Sequence, residues 1–379
     1  MLRRTTGRHM GIRRLTHGDI REGETLAWDV YGENGALLVR KGHRLANESQ
    51  VDNLVARGFI EDHSMPSDRA PAAPEPVSAL RLLNRAAAQL APVLQGLASG
   101  GSGVQPLLEE IANLVMEAVE VSDEVAAASV LHNQRHTPYR VRHCVDTAVV
   151  ALIAARALKR DPAEMRSMVL AALTMNIGMF HLPEQGELSE EEQGVLQAHP
   201  NLGAGLLRAA GIEDETWLRC VQTHHENEDG TGYPAGLKGE EIPAPAKLLA
   251  LADRYCARVV DRPRRRAMLP NLALRDILLE ARHALDAQMG AVLIRELGVY
   301  PIGTFVRLQN GEIGVVWRRG SNSTTPRVLS MIGPRGAPLE TFLQRDTRVE
   351  MNSIREVLSA DQAQIDLRMD TAWGRAAAV

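Results

Sequence analysis

The chain has 379 residues, a formal net charge of −4 and an aromatic content of only 3%. That length allows two or three domains with a substantial core. The charge gives no bulk attraction to nucleic acid, and so few rings leave little to stack on bases, so neither DNA nor RNA is an expected partner.

Residues 1–11 read as a basic tail without the apolar segment of a signal peptide. Residues 12–63 read as a small α/β domain. Two β-leaning runs flank Asn34-Gly35, a hairpin signal, and Asn47 caps a helix, ESQVDNLVAR, that stops at Gly58. This domain has no cluster of acids, histidines or cysteines, which leaves docking or dimerisation as its role. Residues 64–78 hold four prolines and read as a linker. Residues 79–122 read as two connecting helices separated by ASGGSG, the first with Pro92 inside it. Their apolar stripes suit core packing or pairing between protomers.

From 123 to 297 the pattern is helical. Asp161-Pro162 opens one helix, and Ser189 with Glu192 makes a capping box for another, which Gly211 closes. The longest apolar run, 148–155, falls far short of the ~20 residues of a membrane span. Cys144, Cys220 and Cys256 match no zinc or disulfide spacing and fit free thiols in a reducing compartment. A soluble cytoplasmic protein with no membrane insertion is expected. At 298–351 the period changes: TFVRLQ, Asn310-Gly311 and EIGVVWRR read as a β-hairpin appendage, with TPRVLSMI as a third strand. Residues 352–379 read as a helical tail that frays. The expected fold class is mainly α: a helical bundle with a small N-terminal α/β domain and a short C-terminal β appendage.

The chemistry concentrates in residues 222–243, QTHHENEDGTGYPAGLKGEEIP. His224 and His225 read as a helix end, followed by the carboxylates Glu226, Glu228 and Asp229. A loop then carries Gly230, Gly232, Tyr233, Pro234, Gly236 and Gly239, whose glycines and proline specify a tight, stiff path. The stretch resembles HHExxDGxGYPxGLxGxxI, the signature of HD-GYP domains, a branch of the HD phosphohydrolases, and the resemblance covers roughly 135–297. It implies a helical bundle with metal ligands converging from several helices and hydrolysis of cyclic di-GMP. The stretches at 12–63 and 298–351 also resemble pieces that flank such domains.

Carried over position by position, the resemblance makes His143 (with Tyr139, in a Y-x-x-x-H pattern), His199, His224, His225 and Asp253 the candidate metal ligands. Cys256 stands where a second aspartate is usual. LTMNIGM, residues 173–179, stands where the family has LLHDIGK. Met175 thus replaces the histidine and Asn176 the aspartate of the namesake pair, and Met179 replaces the lysine. A thioether is a poor ligand for iron or manganese, and a neutral amide cannot bridge two cations as a carboxylate does. No catalytic set is intact. His199, His224 and His225 remain as a three-histidine site, with His143 and Asp253 as a weak second pair. The expected cofactor is one divalent ion (iron, manganese or zinc) or none. Asp146, three residues after His143, is weighed as a replacement bridge.

Arg254, Arg258 and Arg262 have the spacing of one helix face. Arg262 and Arg265 match the family's phosphate-holding RPYR-like segment, with Arg264 in place of the tyrosine. His283 reads as a structural mid-helix residue. The resemblance further implies a second role for the loop, contact with diguanylate cyclase domains. The expected protein is a degenerate phosphodiesterase that binds cyclic di-GMP or a signalling partner, with a homodimer left open. The alternative is an active metal-dependent phosphodiesterase with a rearranged site. A third reading is a scaffold that binds neither metal nor nucleotide.

Overall fold

The computed structural model describes residues 12–61, 77–134, 137–184, 187–262 and 265–379. The tail expected at 1–11 and most of the linker expected at 64–78 lie outside the described residues. The chain divides into two compact units, Met1–Glu75 and Pro76–Val379.

In the first unit, β1 (Ile12–Arg14), β2 (Val30–Tyr31), β3 (Leu37–Val39), helix α1 (Glu48–Arg57) and β4 (Phe59–Glu61) follow one another. The strands form an antiparallel sheet of order β1-β4-β2-β3. Gly35, at φ +76°, makes the β2–β3 turn. The Asn47 side chain accepts from the backbone N–H of Gln50 at 3.0 Å and caps α1. Gly58 ends it because a Cβ there would lie 2.4 Å from the Leu54 carbonyl oxygen. Leu15, Leu26, Val30, Leu45 and Ile60 form the core.

The second unit begins with α2 (Ala79–Ala98), α3 (Gln105–Val121), α4 (Asp123–His132), α5 (Tyr139–Ala157) and α6 (Pro162–Thr174). It continues with α7 (Glu190–Ala209), α8 (Glu215–Thr223), α9 (Ala244–Val259), α10 (Pro270–Glu280) and α11 (Ala287–Leu297). Helix α5 is buried on every side from Val141 to Ala155, the pattern of a central helix. It packs on α6 and α9, the helices that bring the site together. The first two helices are more than connectors. Leu83, Leu90, Leu108 and Val115 share one core with Val145 and Val149 of α5. Helix α2 runs through Pro92 without a break. The capping box of Ser189 and Glu192 opens α7, and Asp161 caps α6 with Pro162 in its first turn.

Beyond α11 lie β5 (Phe305–Leu308), β6 (Ile313–Arg318), β7 (Arg327–Ile332), β8 (Pro338–Asp346) and β9 (Ile354–Leu358). They form one antiparallel sheet of order β8-β7-β6-β5-β9. The hairpin and third strand expected there are β5–β7. The expected helical tail at 352–379 is corrected: Ile354–Leu358 is an edge strand paired with β5, followed by the short helices α12 (Ala360–Ala363) and α13 (Met369–Trp373). The chain end is also docked rather than frayed. Ala377 is fully buried, and the Ser78 hydroxyl at the start of α2 donates to the Ala378 carbonyl at 2.6 Å. Among the described residues, no helix is long and apolar enough to cross a membrane.

Candidate metal centre and adjoining pocket

His224 caps the C-terminus of α8, His199 lies midway along α7, and His225 begins the loop. Their ligand atoms all lie within 4.8 Å of one another, a grouping that could hold a metal ion. The tautomers follow from the backbone. His199 Nδ1 donates to the Leu196 carbonyl at 2.6 Å, and His224 Nδ1 donates to the Val221 carbonyl at 2.7 Å. A carbonyl can only accept, so each Nδ1 carries the proton and each Nε2 offers a lone pair. Those two Nε2 atoms face each other at 3.3 Å. Two lone pairs at that distance repel, and a cation between them relieves the repulsion. Backbone carbonyls behind the far ring nitrogens are the usual support of metal-binding histidines.

The electrostatics agree. Burial lowers the pKa of His199 and takes His225 down to about 4. Burial, then the neighbouring His225 and His199, lowers His224 well below the ordinary histidine value. Neutral imidazole is the form that ligates. His225 also stacks on Tyr233, ring centroids 4.8 Å apart.

His143 and Asp253 form a separate pair, with His143 Nε2 donating to Asp253 Oδ1 at 2.7 Å. Burial alone would raise the Asp253 pKa. The hydrogen bond from His143, then the fields of His143, His225 and His224, hold it well below the usual carboxylate range. His143 Nδ1 is buried without a partner among the described residues. Asp146 is not a substitute bridge. It is buried against Arg142, 3.3 Å away, and accepts from Gln134 Nε2 at 2.9 Å.

Beside this pair lies a pocket of about 200 Å³ lined by His143, Tyr139, Asn176, Met179, Phe180 and Arg262, among others. Met175 is elsewhere: it is fully buried in the hydrophobic core and does not line the pocket. Arg262 sits over the Tyr139 ring, 4.7 Å from its centroid. Its Nε is buried without a partner among the described residues. The expected common helix face of Arg254, Arg258 and Arg262 is corrected. Helix α9 ends at Val259, and Arg254 and Arg258 both turn to Glu280. Residue 263 is proline, which biases Arg262 away from helical backbone. Arg265 pairs backbone to backbone with Arg262 and reaches the Ala257 carbonyl, outside the pocket. Arg264 lies outside the described residues. His283 is also corrected: it is exposed in the turn after α10.

The loop after His225 takes its shape from Glu226, a residue the sequence left without a role. Its nearly buried carboxylate accepts from the backbone N–H of Ala235 at 2.7 Å and of Leu237 at 3.0 Å. The sequence signal was a carboxylate beside the histidines with glycines four, six, ten and thirteen positions on. Gly232 is required by close approach, since a Cβ would lie 2.4 Å from the Asn227 nitrogen. Gly230, Gly236 and Gly239 have positive φ. Pro234 follows a cis peptide bond from Tyr233. Asp229 accepts from the Thr231 hydroxyl at 2.6 Å. Replacing Glu226 with alanine is expected to lower unfolding free energy by about 2 kcal/mol, because two N–H groups lose a charged acceptor. Urea unfolding measures this, and an unchanged midpoint would mean the loop is held from elsewhere.

Residues 102–289 match the HD domain family. The helical unit belongs to that family, and its GYP loop places it in the HD-GYP branch. A cyclic di-GMP phosphodiesterase of Pseudomonas aeruginosa is 30% identical over 226 residues, 56% of this chain and 54% of that protein. A cyclic di-GMP phosphodiesterase response regulator of Xanthomonas campestris is 31% identical over 154 residues, 38% of this chain and 40% of that protein. A 3'3'-cGAMP-specific phosphodiesterase of Vibrio cholerae is 32% identical over 170 residues, 44% of this chain and 37% of that protein. The chain thus matches about half the length, or less, of these curated relatives.

Proposed function

We propose that this protein is a degenerate HD-GYP domain that binds cyclic di-GMP, or a signalling partner such as a diguanylate cyclase domain, and hydrolyses the nucleotide little or not at all. The observation that carries the reading is the placement of Asn176 and Met179 in the same pocket as His143 and Arg262. Where the family has a carboxylate and an ammonium, this pocket has an amide and a thioether. Neither can neutralise or supply charge. The presence of Arg262 in the pocket lining supports retained anion binding, since a guanidinium makes directed hydrogen bonds to phosphate.

His199, His224 and His225 would hold one divalent ion. When bound, such an ion supplies a Lewis acid. The same three histidines favour a second reading, a phosphodiesterase working from a rearranged site. Titration calorimetry with cyclic di-GMP, with and without manganese, tests the proposal, with chromatography of the nucleotide afterwards. Binding with intact nucleotide is the expected result, and Arg262→Ala is expected to weaken it roughly tenfold. Absence of heat under every condition would overturn the nucleotide-binding claim and leave a protein partner.

A further inference from the structure

Helix α7 has 20 residues and packs into the bundle along one side, through His199, Pro200, Gly203, Ala204 and Leu207. On its other side Val195, Ala198, Leu202, Gly205 and Ala209 recur at steps of three and four, the spacing of a helix-pairing seam. Leu202 is 44% exposed. Gly205 and Ala209 are exposed, and Val195 and Ala198 are half-buried. A helix on the surface of a globular unit ordinarily keeps that side polar.

Gly194 lies on the same exposed side as Gly205. Glycine inside a helix costs stability relative to alanine. Neither residue has a positive φ, and a Cβ on either would meet nothing within 4 Å. Gly203, which faces inward, differs: a Cβ there would press on Ile177 at 3.3 Å. The core therefore accounts for Gly203, but nothing among the described residues accounts for Gly194 or Gly205. A second helix would, because small residues at the contact let two helix axes approach to about 8 Å.

Charge and side-chain size select the occupant. Glu190 and Glu191 open α7 and Arg208 ends it, all three exposed. Within the chain Arg208 has only a loose contact, 3.5 Å from Glu215, with the two side chains 45% and 70% exposed. Laid antiparallel on a second α7 and centred at position 200, the helix is its own complement. Leu202 covers Ala198 of the second copy, and Gly205 comes opposite Gly194 and Val195. Arg208 meets the acidic start of the facing helix. Parallel pairing would instead set arginine against arginine and glutamate against glutamate, which repel.

We infer that the outer face of α7 is a homodimer interface, pairing antiparallel with α7 of a second copy of this chain about a two-fold axis. One pair of helices buries less than a standard interface, so the dissociation constant is expected on the order of 10 µM. The seam shares its helix with His199, so pairing braces the element that carries a candidate metal ligand. The dimer itself requires neither metal nor nucleotide and stands apart from the function proposed above.

Sedimentation equilibrium of the full chain across the micromolar range tests this, with circular dichroism to check that each variant is folded. A reversible dimer is expected, unchanged by EDTA. Leu202→Lys is expected to weaken it at least tenfold, because two ammonium groups enter an apolar seam. Arg208→Glu is expected to weaken it roughly threefold, and Arg208→Glu with Glu190→Arg to restore it. Restoration by the charge swap is a result that a purely intrachain role for Arg208 would not give. Three results would each overturn the inference. One is a protein that stays monomeric at every concentration. Another is a dimer indifferent to Leu202→Lys, which would place the interface elsewhere. The third is a monomer whose urea midpoint falls with Leu202→Lys, which would mean that the chain itself covers this face. A swap that fails to restore pairing would overturn the antiparallel arrangement.

Discussion

Cyclic di-GMP is expected to survive prolonged incubation with this protein, prepared without oxygen and supplied with iron(II) or manganese(II). The expected turnover is at least ~10³-fold below that of an HD-GYP protein with the full HD pair and lysine, since losing one preorganised charge or donor typically costs ~10²–10³. Two such groups are missing from the pocket at Asn176 and Met179. The amide of Asn176 is neutral at every accessible pH. Met179 places no cation there. The double change Asn176→Asp with Met179→Lys is expected to raise hydrolysis by more than tenfold, because both positions already face the pocket. Adding Met175→His is expected to help less, since Met175 is packed in the core and a polar ring there must first find room and partners. Chromatographic assay of the linear product measures all three proteins. Wild-type turnover that disappears with His224→Ala and His225→Ala would overturn the degenerate reading in favour of the rearranged enzyme.

The second large effect concerns metal content. Wild-type protein is expected to carry about one equivalent of divalent ion, and the double variant His224→Ala, His225→Ala close to none. Elemental analysis by mass spectrometry reads this directly, and circular dichroism checks that the helices persist. The expectation rests on the Nε2 atoms of His199 and His224 facing each other at 3.3 Å, with both Nδ1 positions committed to carbonyls. His143→Ala is expected to leave most of the ion in place, because His143 is spent on Asp253. Wild-type content below ~0.1 equivalent would remove the three-histidine site from the account.

The helical part of the fold was legible because its signals are local. Capping at Ser189 and Glu192, Pro162 in the first turn of α6 and Gly211 after α7 act within a few residues. The C-terminal sheet was only half legible. Strands β5 to β7 are joined by short turns, but β9 pairs with β5 from nearly fifty residues away, and no local pattern encodes that partner. In the site, the tandem histidines were visible as a motif. The direction of Met175 was not, because a side chain entering the core or the pocket is decided by the turn that follows α6. The fate of Asp146 was equally hidden. Helical spacing put it near His143, yet Arg142 lies on the adjoining side of the same helix and captures it.

Among the described residues, the GYP loop hydrogen-bonds to its own backbone, to Glu226, to the His225 carbonyl and to the neighbouring segments at Ala284 and Arg254. None of these bonds runs to Met175, Asn176 or Met179. Its hydrogen bonds are therefore separate from residues 175, 176 and 179, although Tyr233 ties it to His225 by stacking and by a backbone hydrogen bond. A change confined to those three positions removes none of the loop's own hydrogen bonds, so under the proposed reading recognition outlives catalysis without a compensating change. Such a separation turns one architecture into two separable devices, a cutter and a grip, and permits the first to be discarded while the second stays in use.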